Sequence, residues 1–177
     1  MAVMRNRKAV ARRQQGMSLI ELTIAMFVLA VGIVGSMSLV ALSIGGNGRS
    51  RQQSNSTAIS QMVTERISSV KASLSPNLTI TDCTGTNFTI STAAGGSALT
   101  GSGDVDYSQA AVTNYQMLYT DCGTGGMQFT YDVRWNVTQP TPYTKLLTVS
   151  AVKQNAGTDQ KFFALPVTIR TLIGQGT

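Results

Sequence analysis

A chain of 177 residues with two cysteines and no histidine has room for one ordinary domain plus an appendage, and it lacks the residues for Ser-His-Asp, Cys-His or His-based metal chemistry. Its formal charge of +6 is local: five of the 14 basic side chains (Arg5, Arg7, Lys8, Arg12, Arg13) precede Gly16 with no acid among them, leaving nine against eight acids beyond, a net of +1. Those nine are scattered from Arg49 to Arg170 without a run, which argues against a nucleic-acid surface.

Residues 1–16 read as a basic leader with a topogenic role. From Leu22 to Ile44 follow 23 residues without a charge or a proline, about 35 Å as a helix and enough to cross about 30 Å of hydrocarbon. A cleaved secretory signal has an apolar region of only about 7–15 residues. Basic residues cluster on the N-terminal side of the run, so the positive-inside rule places the N-terminus in the cytoplasm and residues 50–177 outside. Glu21 stands at the head of this run, where an acidic side chain costs about 2.5–3.5 kcal/mol at a bilayer centre.

Residues 17–44 are expected to form a transmembrane helix, with "GGNG" at 45–48 as a glycine break. Ile59, Met62, Val63, Ile67, Val70 and Leu74 then recur at three- and four-residue spacing, predicting an amphipathic helix over about 50–73, stopped by Pro76, with its stripe on a sheet. Residues 77–177 read as a β-rich domain. "FTYDVRWNV" (129–137) alternates cleanly, with Phe129, Tyr131, Val133, Trp135 and Val137 on one face. "QPTPYT" (139–144) is a predicted turn, "KLLTVSAV" (145–152) its hairpin partner, and "PVTIRTLI" (166–173) a third strand with Pro166 at its start. "NFTIS" (87–91) and "YQMLYT" (115–120) are weaker strand candidates. "STAAGGSALTGSGD" (91–104) reads as a Gly/Ser/Thr loop with nothing to build a core.

Cys83 and Cys122 fall in the exported part, where a disulfide is the default expectation and closing a loop of about 40 residues contributes roughly 4 kcal/mol. Metal binding or a reactive thiol is the alternative, and neither has a histidine or a close cysteine pair to support it. Asp104 and Asp106 could form a weak calcium site but lack the EF-hand spacing. Asn55, Asn77, Asn87 and Asn136 open N-x-[ST] triplets of the kind a Ser/Thr-rich chain supplies by chance. Tyr107, Tyr115, Tyr119 and Tyr131 fit core or strand positions better than a stacking platform for nucleic acid. The residues point to no enzyme and no cofactor.

"QGMSLIELTIAMFVLAVGIVG" closely resembles the class III signal of type IV pilins and of the related pseudopilins of type II secretion, through Gly16, Met17, Ser18, Leu19, Ile20, Glu21 and Leu22. The resemblance implies a bacterial α+β pilin-like fold: a long N-terminal helix, half apolar and half amphipathic, packed on a C-terminal antiparallel sheet. It implies that a prepilin peptidase cuts between Gly16 and Met17 and methylates the new amine on Met17. It also implies that Glu21 pairs with the Met17 amine of a neighbouring subunit during assembly. The precursor would sit in the inner membrane, meet an assembly platform and other pilin or pseudopilin subunits, and end in a periplasmic or extracellular filament. Met17 replaces the family's usual Phe, the cysteines lie far from the C-terminus, and the apolar run lacks the mid-helix proline of many pilins. "LAVGIVG", the Trp135-bearing hairpin and "VTIRTLI" look most like minor pilins of the PilV-like kind. The expected role is therefore a minor pilin that enters or primes a type IV pilus. The alternatives are a type II secretion pseudopilin and, from another class, an adhesive or DNA-uptake pilin.

Overall fold

A computed structural model of the protein describes residues 18–123, 126, 128–154 and 165–174. The chain divides into two compact units, one ending at Ile44 and one beginning at Gly45. Helix α1, Leu19–Ser68, supplies the described part of the first and opens the second. In the first unit the helix is apolar on every side and its side chains are exposed, with a mean hydropathy of 2.4 over the best 18 residues. A helix of that kind is at home only in lipid or among other apolar helices. Three of its hydroxyls are turned inward: Thr23 Oγ1, Ser36 Oγ and Ser38 Oγ donate to the carbonyls of Ile20, Ile33 and Val34. That self-satisfaction removes the cost of a free hydroxyl in hydrocarbon.

Residues 45–48, expected as a break, are helical throughout. Continuing through a glycine costs about 1 kcal/mol relative to alanine. Stopping and restarting a helix costs a new nucleus, with a nucleation constant near 10⁻³ or about 4 kcal/mol. With helix formers on both sides, propagation wins by a small margin.

Within the second unit, α1 buries Ile59, Val63 and Ile67 together with Ser56, Ser60 and Thr64. Ser60 and Thr64 each follow an aliphatic residue by one position and Ser56 precedes Ile59 by one turn, so hydroxyl side chains flank the aliphatic stripe on the buried face. The predicted stripe runs too long: the helix ends at Ser68, Val70 is half-buried and Leu74 is exposed. Ser68 Oγ and Ser69 Oγ donate to the carbonyls of Glu65 and Arg66, competing with the next helical turn for the same acceptors.

Strands β1 (Asn77–Thr81) and β2 (Asn87–Ser91) form an antiparallel hairpin, of which the sequence reading marks only β2. A five-stranded antiparallel sheet combines β3 (Gly95–Gly96), β4 (Gln116–Cys122), β5 (Gln128–Thr141), β6 (Thr144–Lys153) and β7 (Val167–Ile173). Both β3 and β4 pair with β5, which pairs with β6, and β6 with β7. The predicted 139–144 loop narrows to Pro142–Tyr143, because β5 runs on to Thr141 opposite Thr144. The alternation in β5 places Tyr131, Val133, Trp135 and Val137 in the core, with Ala151, Val149 and Leu147 directly across from the last three. Ile80 and Ile90 of the hairpin join that core.

The other face of the sheet is covered too, by part of the 91–104 segment expected to be a loop with nothing to build a core and by the residues that follow it to Gln109. Asp132, Thr148 and Ser150 on that face are buried. Asn136 Nδ2 donates to Ser97 O, Arg134 Nη1 to Gln109 O and Tyr107 OH to Asp132 O. Strand side chains donating to loop carbonyls at Asn136 and Arg134, and a loop hydroxyl donating to a strand carbonyl at Tyr107, make this layer, so hydrophobic patterning gives no sign of it.

Candidate functional site

Gly16 and Met17 lie outside the described residues. Glu21 is exposed in the first turn of α1. Ser18 precedes the helix as its N-cap: its carbonyl accepts from the amides of Glu21 and Leu22 at 3.0 and 3.1 Å, and its Oγ reaches the Glu21 amide at 3.4 Å. Glu21 therefore stands third in the helix, completing the S-x-x-E spacing of a capping box. That signal is present in "SLIE" and assigns Ser18 a role the sequence reading did not give it. A carboxylate here lies beside the positive end of the helix dipole, a favourable place worth about 0.3–1 kcal/mol.

Cys83 and Cys122 are joined, with Cα atoms 5.9 Å apart and a sequence separation of 39. The bond ties the β1–β2 turn to the end of β4. Within that turn Asp82 accepts from Thr84 N, Thr84 Oγ1 and Thr86 N, and chiefly its hydrogen bond from the Thr84 hydroxyl holds its carboxyl below the usual range. Gly85 takes φ +86° at the tip, a conformation open to glycine.

The other candidates are drawn into the fold. Asp104 pairs with Arg170 at 3.1 Å and Asp106 bonds Ser108, so the two carboxylates are directed to different partners. Among the described residues no three of His, Cys, Asp and Glu converge as a metal site. Tyr131 is in the core, Tyr115 packs against Trp135 with centroids 6.2 Å apart, and Tyr107 lies under the Arg134 guanidinium. Burial pushes the Tyr107 hydroxyl far above its ordinary pKa. Asp132 binds Arg134 at 2.8 Å and accepts from Gln116 Nε2 at 2.7 Å, which neutralises the one carboxylate buried beneath the loop.

The functional chemistry is thus concentrated at the start of the chain: a basic leader, a glycine, a capped helix with a carboxylate in its first turn, and an unpartnered apolar surface. A family model described as the prokaryotic N-terminal methylation motif matches residues 11–37. That span takes in Gly16, Met17, Glu21 and the apolar run as far as Met37. No curated protein and no solved structure matches the chain. A segment of this kind is a prepilin-type signal, which supports a pilin or pseudopilin subunit, and the apolar helix is consistent with a membrane-anchored precursor. The chain carries the prepilin-type N-terminal signal of the type IV pilin family.

Proposed function

We propose that the protein is a minor pilin that enters or primes a type IV pilus. A prepilin peptidase cuts between Gly16 and Met17 and methylates the Met17 amine. Residues 17–44 hold the precursor in the inner membrane, and residues 50–177 face outward. On assembly Glu21 pairs with the Met17 amine of an adjoining subunit while the apolar helix moves from lipid into a bundle of like helices. The observation that carries this reading is the methylation motif at 11–37 followed without interruption by an apolar helix exposed on all sides. The minor role rests on the departures from a major pilin: Met17, the internal disulfide, and the Trp135 hairpin followed by a strand near the C-terminus.

Intact-mass and peptide mass spectrometry of the cellular protein tests the processing step, with N-methylated Met17 as the expected first residue. Sheared filaments test the role. A minor pilin appears in them at a small fraction of the main subunit, and its deletion reduces piliation. Deletion that leaves pili intact and abolishes secretion of exported proteins would instead assign the chain to a pseudopilus.

A further inference from the structure

Arg51 and Gln52 on α1 and Phe129, Tyr131 and Lys153 on β5 and β6 line a groove of about 200 Å³, with Asn55 at its edge. It is smaller than the roughly 300–1,000 Å³ of a small-molecule pocket, a size suited to one headgroup. Its charge is one-sided. The Lys153 ammonium lies 4.2 Å from the centre of the Phe129 ring, and among the described residues neither Arg51 nor Lys153 has a carboxylate within 4.0 Å. Asp121 lines the neighbouring depression, where it accepts from Asn55 Nδ2 at 3.1 Å. Arg51 follows the end of the apolar run at Ile44 by only seven residues, with no acid between. In a membrane spanned by residues 22–44 the headgroup layer would begin where that run ends.

We propose that this groove binds the phosphate of an anionic phospholipid on the outer surface of the membrane that holds residues 17–44. A guanidinium offers phosphate a two-pronged donor, and an ammonium on a flexible stem completes the contact. An aromatic ring beside them belongs to the lipid interface, where amphipathic and aromatic side chains gather. The bound lipid would hold the globular part at the membrane until the subunit is extracted. The inference rests on the membrane-anchored reading of residues 17–44.

The full-length chain in nanodiscs of equal phosphatidylglycerol and phosphatidylcholine, examined by native mass spectrometry, tests it. The wild-type chain should retain phosphatidylglycerol over phosphatidylcholine, and Arg51→Gln or Lys153→Gln should each lower that ratio by about fivefold, with circular dichroism unchanged. Lys71→Gln, a change at an exposed lysine outside the groove, should leave it alone. Equal losses in Lys71→Gln and Arg51→Gln, or no loss in either groove variant, would overturn the site. Displacement of the lipid by millimolar inorganic phosphate would overturn it in favour of a soluble anion. Lys153 should also resist acetylation in these nanodiscs; protection seen only in assembled filaments would give the groove to a neighbouring subunit's carboxylate. Insertion without lipid preference defeats this inference alone, whereas failure to insert in either lipid defeats the membrane reading with it.

Discussion

Lys145, buried on β6, donates its ammonium to the carbonyl of Leu74, just past the end of α1. The same nitrogen donates to Ser75 Oγ at 3.1 Å and to Thr92 O at 2.9 Å, so three oxygens occupy its three protons. A buried cation with no acid beside it is unusual, and burial lowers its pKa accordingly. It endures because the chain leaving the helix turns back over β6 and would otherwise bury carbonyls without donors. Lys145→Met keeps the apolar stem and removes the donors. The expected cost is about 1–3 kcal/mol, measured by denaturant unfolding of the full chain in detergent micelles. Hydrogen exchange should speed up first at residues 70–76.

Gly96 meets the core at closer range. It sits in β3 with φ +120°, and a Cβ there would lie 2.5 Å from Trp135 O and 2.8 Å from Tyr115 Cδ1. Both the backbone conformation and the space are closed to a side chain. Gly96→Ala should destabilise by about 3 kcal/mol or more and change the near-UV dichroism of Trp135. Gly85→Ala, strained at φ +86° but with open space around it, should cost less.

The disulfide offers a cleaner test of chain entropy. A 39-residue separation gives a stabilisation of about 4 kcal/mol in the loop-closure model. The double variant Cys83→Ser, Cys122→Ser should lose close to that amount in denaturant unfolding, and reduction of the wild-type chain should match it. Proteolysis should then reach the β1–β2 hairpin, which the bond holds to β4, before it reaches β5 or β6.

Alkaline pH should divide the buried hydroxyls from the buried amine. Burial raises the pKa of Tyr107, Tyr119 and Tyr131 above the ordinary value of 10.0. Above that value the unfolded tyrosines lose protons that the folded ones keep, so stability falls as pH rises. Lys145 acts the other way: its lowered pKa makes the unfolded chain bind more protons between that value and 10.5, so stability rises across that window. Each group changes stability by at most about 1.4 kcal/mol per pH unit. Three groups against one predict a steep net loss above pH 10, followed by the denaturation midpoint. Tyr107→Phe should remove the largest share of that slope.

How much of this was legible in the sequence depended on the range of the interaction. The apolar run and the alternation of "FTYDVRWNV" are local periodicities and correspond to α1 and β5. Ser18 as a cap was equally local and readable from "SLIE". The helix through residues 45–48 was less so, because propagation and renucleation differ there by only a small margin. Lys145 was beyond reach: its acceptors Leu74 and Thr92 lie 71 and 53 residues away in sequence. The second sheet layer was hidden for another reason. It is built from Asn136 and Arg134 donating to the carbonyls of Ser97 and Gln109 and from Tyr107 donating to the carbonyl of Asp132, pairings that no hydrophobic pattern records.

Glu21 brings energetics and proposed function to one residue. An acidic side chain costs about 2.5–3.5 kcal/mol at a bilayer centre and less toward the interface, where the head of the run lies, and its place at a helix N-terminus returns about 0.3–1 kcal/mol. The remainder calls for a counter-charge, and the amine freed on Met17, four residues earlier, is one of the right sign on every subunit. Glu21→Val relieves the cost in lipid while removing the partner for that amine. The variant should therefore insert and be cleaved normally, with methylated Met17 detected by mass spectrometry, and yet be missing from sheared filaments. Glu21→Gln, which keeps the shape and loses the charge, should be missing as well. Wild-type abundance of either variant in filaments would show that the carboxylate does not select the neighbouring subunit.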